Sequence, residues 1–216
     1  MNVAHWPLAG LLMSISVSAL AAADPAAVYT QGGANPAAMA CVTCHGAEGE
    51  GMAAAGFPRL AGLSANHMKK QLADFASGKR ANPIMQPIAA ALSPEEADAV
   101  TTMLAEKPRP DVERIGRASL VHGLGETLAL RGAWDRNIPE CVACHGPSGV
   151  GVGDAFPPLV GQPAQYLSSQ LSAWRQGTRK NDPNDLMGHI ARSLTDAEIK
   201  AVSEYFATLT ETGAEK

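Results

Sequence analysis

Aromatic side chains are scarce in this sequence, since Phe, Trp and Tyr together make up 5% of its 216 residues. Net charge is also small, at −4, and no run of basic residues occurs. The lack of a basic patch argues against a nucleic-acid-binding protein, which needs one to neutralise phosphates. The mildly acidic balance instead favours protein partners with a basic docking face. Cysteine is sparse as well, with four residues, and their positions carry most of the information.

All four cysteines lie in two copies of one motif. The motif is Cys-x-x-Cys-His followed by glycine, and its copies span residues 41–46 and 141–146. A lone Cys-x-x-Cys also occurs in thioredoxin-like dithiols, zinc sites and structural disulfides. A thioredoxin needs a strand-rich context, which is not visible here, and a Cys₄ zinc site gives no reason for a histidine after each pair. The complete pentapeptide, present twice, predicts two covalently attached haem c groups.

Each motif supplies both the attachment points and one iron ligand in this interpretation. The two thiols form thioethers with the porphyrin vinyl groups, and the histidine binds the iron. The predicted attachment residues are Cys41, Cys44, Cys141 and Cys144. The predicted proximal ligands are His45 and His145. Two porphyrins are large apolar plates, so they would replace part of the core that the missing aromatics do not provide.

The first 23 residues read as a cleaved signal peptide. An apolar run at residues 8–23 ends in three alanines before Asp24 and Pro25, and it is short for a membrane span. Export agrees with haem c chemistry, which takes place outside the bacterial cytoplasm, and predicts a periplasmic protein. Because residues 1–7 contain no Lys or Arg, an uncleaved anchor facing the periplasm stays open as an alternative. No other segment is long and apolar enough to cross a bilayer.

The rest of the chain is a tandem duplication. The second motif follows the first at an offset of 100 residues, and later matching segments follow at offsets of 99 and 102. The drift predicts a one-residue deletion and a three-residue insertion in loops. We therefore predict an N-terminal domain at residues 24–106, a linker at 107–111 and a C-terminal domain at 112–216. Two prolines make the linker stiff.

Apolar spacing and capping residues predict an all-α fold. One helix is bracketed by Ser64 and Gly78, and its copy precedes Gly177. The last helix of each unit opens with a capping box, at residues 93–96 and 195–198. Residues 112–123 read as the first helix of the second unit. Residues 125–134 then have no counterpart, and we favour a surface insertion there over a partner-docking element.

The duplication also predicts the second ligand of each iron. Outside the leader, Met85 and Met187 are the methionines that occupy corresponding positions in the two units. The positions matching the other first-unit methionines hold different residues: Met52 corresponds to Val152, Met68 to Leu167 and Met103 to Tyr205. Met85 and Met187 also follow Asn- and Pro-containing segments that could wrap to the distal side of a haem. We predict that they are the distal iron ligands.

Outside the leader and the two motifs three histidines remain, and none of them is repeated. His67 lies on a helix opposite Gln165, His122 lies in the predicted first helix of the second unit, and His189 corresponds to Pro87. We expect them to be exposed or partly packed. His189 is the main competitor for an iron, because it lies two residues from Met187.

The ordered set of motifs resembles the di-haem cytochrome c4 family over about residues 26–210. In each unit Cys-x-x-Cys-His-Gly is followed by Phe-Pro-x-Leu, Gly-x-Arg-x-Asn and Met-x-x-Ile-Ala. The resemblance implies two class I cytochrome c domains, each wrapped around one haem, in a periplasmic electron carrier that is soluble or loosely membrane-associated. It also implies that the Pro58 and Pro157 carbonyls accept hydrogen bonds from the proximal imidazoles. Propionate or ligand-loop contacts are implied for Arg80, Asn82, Arg179 and Asn181, although solvated loop positions explain them nearly as well.

The expected function is single-electron transfer between redox proteins, with no catalytic residue. Donors of the cytochrome bc or dehydrogenase type, and oxidase or reductase acceptors, fit this expectation. One alternative is the electron-transfer subunit of a periplasmic dehydrogenase that oxidises sulfur compounds or alcohols. A haem enzyme, such as a peroxidase or a thiosulfate-oxidising cytochrome, is the third hypothesis. It needs an open iron position or a cysteine ligand, and every cysteine here is already used.

Overall fold

Helices account for the regular secondary structure of the chain. The computed structural model describes residue 1 and residues 22–112 and 121–209. Within these residues there is no β-strand, and strand-like pairing is limited to isolated bridges such as that between Met52 and Phe57. The all-α prediction is therefore confirmed. No helix in the described ranges is long and apolar enough to cross a membrane, and most of the predicted signal peptide lies outside them.

The helices follow one another in the same order in both units. Those of the first unit are α1 (Pro25–Gln31), α2 (Val42–His45), α3 (Ala65–Ala76), α4 (Met85–Ala91) and α5 (Pro94–Ala105). Those of the second unit are α6 (Gly123–Arg131), α7 (Cys141–His145), α8 (Ala164–Arg175), α9 (Leu186–Ser193) and α10 (Asp196–Thr208). Short 3₁₀ turns at Ala53–Ala55, Trp134–Arg136 and Pro147–Gly149 connect them.

The predicted capping signals start the helices where expected. The Ser64 side chain accepts a hydrogen bond from the His67 amide and caps α3. Both capping boxes of the last helices form, from Ser93 and Glu96 in α5 and from Thr195 and Glu198 in α10.

Since α3 begins at residue 65 and α8 at residue 164, the two units are in register at an offset of 99. This register pairs His67 with Tyr166 rather than with Gln165.

The predicted insertion at residues 125–134 is wrong. Helix α6 ends at Gly132, just as α1 ends at Gly32, so α6 is the counterpart of α1 at an offset of 100. Its side chains Leu128, Ala129 and Leu130 are buried against α10. The error came from placing the first helix of the second unit at residues 112–123, which left residues 125–134 without a counterpart. A Cβ at Gly125 would lie 2.2 Å from the Ala201 carbonyl oxygen, so this glycine allows α6 and α10 to cross closely.

The predicted helix at residues 112–123 lies mostly outside the described residues. Its described ends, Val112 and residues 121–122, are not helical, and Gly123 already opens α6. The residues that the second unit has in addition to the first therefore lie before its first helix and not after it. The division into domains and the linker at residues 107–111 stay predictions.

Each unit has its own apolar core. The first core is built around Val28, Tyr29, Met68, Val100 and Leu104. The second contains Leu128, Ile138, Ile199, Val202 and Phe206. In both units the last helix packs against the first and the third, which places a cavity between these helices and the Cys-x-x-Cys-His segment.

The two units meet through α3, α8 and the turns that follow them. Arg80 and Arg179 pair as an isolated antiparallel bridge, in which the Ala81 amide donates to the Thr178 carbonyl at 3.0 Å and the Lys180 amide donates to the Lys79 carbonyl at 2.7 Å. Around this bridge the units lie back to back, with a cavity on either side.

Candidate functional site

The first Cys-x-x-Cys-His segment presents all three side chains to one cavity. Helix α2 is a single turn, and Cys41, Cys44 and His45 line the cavity beside it. The His45 Nδ1 lies 3.0 Å from the Pro58 carbonyl oxygen. A carbonyl only accepts, so Nδ1 carries the proton and Nε2 keeps a free lone pair. Burial lowers the pKa of His45, which keeps the imidazole neutral and able to bind a metal ion.

The second segment repeats this arrangement. Cys141, Cys144 and His145 line the second cavity, and His145 Nδ1 donates to the Pro157 carbonyl oxygen at 2.7 Å. Burial lowers the pKa of His145 as well. Both prolines therefore accept the hydrogen bonds that the family resemblance implies. Such a bond fixes the tautomer and the ring orientation of a ligating histidine.

A glycine in each unit makes the histidine–proline contact sterically feasible. Gly51 and Gly151 both adopt a left-handed backbone, with φ of 84° and 85°. Their amides donate to the His45 and His145 carbonyls at 2.8 and 2.7 Å. A Cβ at Gly51 would lie 2.7 Å from the Arg59 amide nitrogen, and one at Gly151 would lie 2.7 Å from the Pro158 nitrogen. Both glycines therefore let the motif loop press against the Phe-Pro turn.

The thiols do not have the properties of a redox dithiol or a zinc site. Burial raises the pKa of Cys41, and it raises the pKa of Cys141 to about 12. Reactive and metal-binding thiols need a lowered pKa instead. The two cysteine pairs also line different cavities, and the described residues include no cluster of three or more metal-binding side chains of the His, Cys, Asp or Glu type. Neutral, half-buried thiols at Cys41 and Cys141, each beside a mostly apolar cavity, match thioether attachment.

The two predicted distal methionines line the same cavities as the histidines. Met85 opens α4 and lines the first cavity, and Met187 lies in α9 and lines the second. Met39 and Met68 also line the first cavity, whereas Met187 is the methionine of the second. His189 is exposed and lines neither cavity. The structure thus places one matched His–Met pair in each cavity.

His67 has a position that sequence reasoning missed. Together with Leu63, Tyr166 and Gln170 it lines both cavities, so one layer of side chains separates them. His67 Nδ1 lies 3.2 Å from the Asp154 carbonyl oxygen, and burial lowers the pKa of His67 to about 4. The imidazole is therefore neutral at pH 7. The helical register gives the one sequence signal for this position, because it aligns His67 with Tyr166.

Between the cavities lies a buried polar network with a near two-fold arrangement. Gln71 accepts from Arg80 Nη1 at 3.0 Å and from Arg179 Nη2 at 3.1 Å. Gln170 accepts from Arg80 Nη2 at 2.6 Å and from Arg179 Nη1 at 3.1 Å. Burial and the neighbouring Arg80 lower the pKa of Arg179 to about 9. Two like charges are thus held together, with Asp74 as the buried carboxylate in the network.

The cavities fit a haem in size, polarity and charge. The first cavity spans about 1490 Å³ and the second about 1080 Å³, and both volumes include the part that is open to solvent. Their walls are mostly apolar, as a porphyrin face requires. Arg80 Nε and Trp174 Nε1 are buried without a hydrogen-bond partner in the described part of the chain. Unpartnered donors and a surplus of positive charge suit the carboxylates on one edge of a haem.

Comparison with known proteins identifies the family. The Cytochrome c family matches residues 31–106 and 134–210, which contain the two Cys-x-x-Cys-His motifs and the two cavity-lining methionines. The chain belongs to the cytochrome c family. It is a di-haem member with two covalently attached haem c groups, and its role is electron transfer. The predicted family, fold and cofactors are thereby confirmed.

The relatives of this cytochrome include thiosulfate dehydrogenase electron acceptors and cytochromes c4. It is 66% identical to a thiosulfate dehydrogenase electron acceptor of Stutzerimonas stutzeri, over 97% of both chains. It is 36% identical to cytochrome c4 of Pseudomonas aeruginosa, over 94% of this chain and 98% of the relative. Among solved structures, reduced cytochrome c4 from Pseudomonas stutzeri superposes with a TM-score of 0.69 at 31% identity, covering 78% of this chain and 93% of the other.

A longer solved protein contains a similar unit. The thiosulfate dehydrogenase TsdBA from Marichromatium purpuratum superposes with a TM-score of 0.77 at 39% identity. The match covers 89% of this cytochrome but 41% of the longer chain. More than half of that chain therefore has no counterpart in the match.

Proposed function

We propose that this cytochrome accepts single electrons from a thiosulfate dehydrogenase in the periplasm and passes them to an acceptor such as a terminal oxidase. The observation that carries the proposal is the matched His–Met pair in each cavity. In our assignment His45 and Met85 bind one iron, and His145 and Met187 bind the other. Each iron would then be held by a histidine and a methionine of the protein, which would favour electron transfer over substrate binding.

The protein side chains attach, orient and shield the haem groups in this proposal. Cys41 and Cys44 attach the first haem, and Cys141 and Cys144 attach the second. The hydrogen bonds from His45 to Pro58 and from His145 to Pro157 hold the ring planes and keep Nε2 free. When bound, each haem supplies an iron that takes up and releases one electron. Methionine ligation and burial disfavour the more highly charged ferric form, so positive reduction potentials are expected.

The choice of donor is supported by the 66% identical relative, which is named as a thiosulfate dehydrogenase electron acceptor. The similarity to part of TsdBA also supports it, because there a comparable unit shares a chain with a thiosulfate dehydrogenase. A dehydrogenase that removes electrons in pairs can hand both to a protein with two one-electron sites. The cytochrome c4 relatives favour a second candidate, a general respiratory carrier with a cytochrome bc-type donor.

A reduction assay separates these functions and also tests for enzyme activity. The oxidised cytochrome is mixed with thiosulfate, with and without a catalytic amount of purified thiosulfate dehydrogenase, and haem absorbance is followed. We expect both haems to be reduced when the dehydrogenase is present and neither when it is absent. Reduction by thiosulfate alone would make this protein an enzyme. Failure to accept electrons from the dehydrogenase, with normal reduction by a bc-type donor, would favour the second candidate.

The periplasmic location follows from the predicted leader and from the place of haem c attachment. We propose cleavage after Ala23, which leaves α1 with its Asp24 cap at the new amino terminus. Amino-terminal sequencing of the periplasmic fraction checks this. Recovery of the intact leader in the membrane fraction would show an anchored protein instead.

A further inference from the structure

The segments that lead to Met85 and Met187 are held in different ways. Asn82 and Asn181 are counterparts at an offset of 99. Asn82 Oδ1 accepts from the amides of Ile84 at 3.0 Å and Met85 at 2.8 Å, so it caps the start of its own methionine helix. Asn181 points away from its own helix. Its Nδ2 donates to Gln71 Oε1 and Asp74 Oδ2, both at 2.9 Å, and both acceptors lie in α3 of the first unit.

The backbone of Asn181 is held from the same helix. Lys70 Nζ donates to the Asn181 carbonyl oxygen at 3.1 Å and to Asp74 Oδ2 at 2.5 Å. Asp74 is 7% exposed and Asn181 is 9% exposed, so the bond between them is sheltered from water, whereas the Lys70 side chain is 48% exposed. Lys70, Gln71 and Asp74, which we call the α3 anchor, therefore fix the side chain and the carbonyl of one residue in the other unit.

Helix α8 of the second unit has no corresponding side chains to hold Asn82 of the first unit. The α8 positions that match Lys70 and Asp74 are Ser169 and Ala173. Ala173 has no side-chain acceptor, and Ser169 Oγ donates to the Tyr166 carbonyl in its own helix. Within the described ranges no side chain of α8 is hydrogen-bonded to Asn82. The asymmetry is therefore built into the sequences of the two helices.

Loop length explains why one asparagine is available for the other unit. Met85 comes three residues after Asn82, whereas Met187 comes six residues after Asn181. The three-residue insertion of the second unit lies in this interval, and it moves Asn181 too far away to cap α9. Asp182 takes over the capping role, with its Oδ2 accepting from the Met187 amide at 2.5 Å. A longer loop has more conformational freedom to lose, and an external contact at its start reduces that freedom.

We propose that Asp74, with Lys70 and Gln71, is a positioning residue for Met187. It acts through Asn181, which begins the loop that carries this methionine. The contact between the two units then stabilises methionine ligation at the second iron, while Met85 at the first iron is positioned by its own unit. This inference rests on the assignment of Met85 and Met187 as distal ligands under the proposed function.

Competition by an added ligand tests the proposal in the full-length holoprotein. Imidazole displaces a coordinated methionine from ferric haem, and loss of the weak far-red methionine–iron charge-transfer band reports the displacement. Asp74→Ala makes α3 resemble α8 at this position. We expect the half of the band that belongs to the second site to disappear faster, on the order of tenfold, because hydrogen bonds to a buried charged group are lost. The half that belongs to the first site should keep its wild-type rate.

Matched variants separate positioning from general loosening. Asp98→Ala removes an exposed carboxylate that pairs with Lys69 at 2.6 Å, and it should change neither rate. Asp74→Asn keeps an acceptor for Asn181 and should restore most of the wild-type rate. If Asp74→Ala does not fold, Lys70→Ala is the test variant, because it removes the bond to the Asn181 carbonyl from a half-exposed side chain, and an acceleration confined to the second site is expected. A Met85→Ala background leaves the second-site band alone and assigns the fast phase.

Two results would overturn the proposal in distinguishable ways. If Met187→Ala leaves the whole far-red band in place, the ligand assignment is wrong and the proposal fails with it. If Met187→Ala removes half of the band but Asp74→Ala, or Lys70→Ala in its place, changes neither site or both sites equally, the assignment stands and the positioning role of Asp74 and Lys70 is refuted. Pyridine haemochrome assays confirm that every compared variant carries two haems.

Discussion

The two units share the same histidine, glycine and methionine arrangement but differ in the contacts that hold the methionine segment. In both units a histidine donates to a proline carbonyl, a left-handed glycine supports that contact, and a methionine lies in the same cavity. In the first unit the start of the methionine helix is held by a residue of the same unit, Asn82, which accepts from the Met85 amide. The second relies on Asp182 and on contacts from the first unit. Duplication has thus preserved the cavity-lining histidine and methionine of each unit, while the contacts that hold the methionine segments have diverged.

The surfaces near the two methionines differ in charge as well. Residues 81–92 of the first unit contain no charged side chain, and Ile84 beside Met85 is 50% exposed. The corresponding residues 180–194 contain Lys180, Asp182, Asp185 and Arg192, and Asp185 and Arg192 form an ion pair. Rates of exchange with partners through the second unit should therefore depend more on ionic strength.

The largest expected effect is the loss of either distal methionine. Met85→Ala and Met187→Ala should each remove about half of the far-red band, because each leaves one iron without its thioether ligand. The reduction potential of the affected haem should fall, while the other keeps its value in a redox titration. The paired variants show whether the two sites contribute equally. A variant that retains the full band would show that its methionine is not a ligand.

Replacing Gly125 should have the next largest effect, and one confined to the second unit. Gly125→Val places a branched side chain where a single Cβ already lies 2.2 Å from the Ala201 carbonyl oxygen. We expect the free energy of unfolding to fall by about 2–3 kcal/mol, as in other overpacked contacts. Guanidinium unfolding followed by circular dichroism measures it. Leu124→Val, at a side chain that is 46% exposed, is the control and should cost less than about 0.5 kcal/mol.

How far the sequence predicts the structure depends on whether a feature is repeated. The Cys-x-x-Cys-His motifs, the capping boxes and the Met85–Met187 pair each occur twice, so one copy checks the other. Gly125 has no such check, and its role depends on Ala201 in a helix that follows much later in the chain. The bond from Asn181 to Asp74 joins residues 107 positions apart and has no counterpart in the repeat. Local patterns cannot reveal contacts of this kind.

A smaller effect separates the two capping boxes. Glu198 accepts from the Thr195 amide and from both terminal nitrogens of Arg136, whereas Glu96 accepts from the amides of Ser93 and Ala34. The bonds from Arg136 lower the pKa of Glu198 from 4.5 to about 2. Because the folded-state pKa is lowered, the carboxylate stabilises the fold above the unfolded pKa, and this stabilisation is lost as the pH falls from 4.5 through about 2.

Replacing Glu198 and Glu96 in turn by glutamine measures how much more the carboxylate of the second capping box stabilises the fold. Glu198→Gln should lower the free energy of unfolding at pH 7 by about 1–2 kcal/mol, through the lost charge-assisted bonds. Glu96→Gln should cost less, since Glu96 forms no ion pair with any residue that the structure describes. Chemical unfolding at pH 7 and at pH 3 compares them, and the deficit of Glu198→Gln should shrink at the lower pH. Equal deficits in the two variants at pH 7 would show that Arg136 adds nothing to the second unit.

The smallest expected effect tests whether the repeat selected the correct ligand in the second unit. His189 follows Met187 by two residues, but it is exposed and lines neither cavity. His189→Ala should therefore leave both haems low-spin and the far-red band intact, with no change in either reduction potential. Met187→Ala is a well-matched comparison, because Met187 and His189 lie on the same helix, α9. A high-spin ferric band in the His189 variant alone would assign the second iron to His189, and the two units would then bind their irons with different ligands.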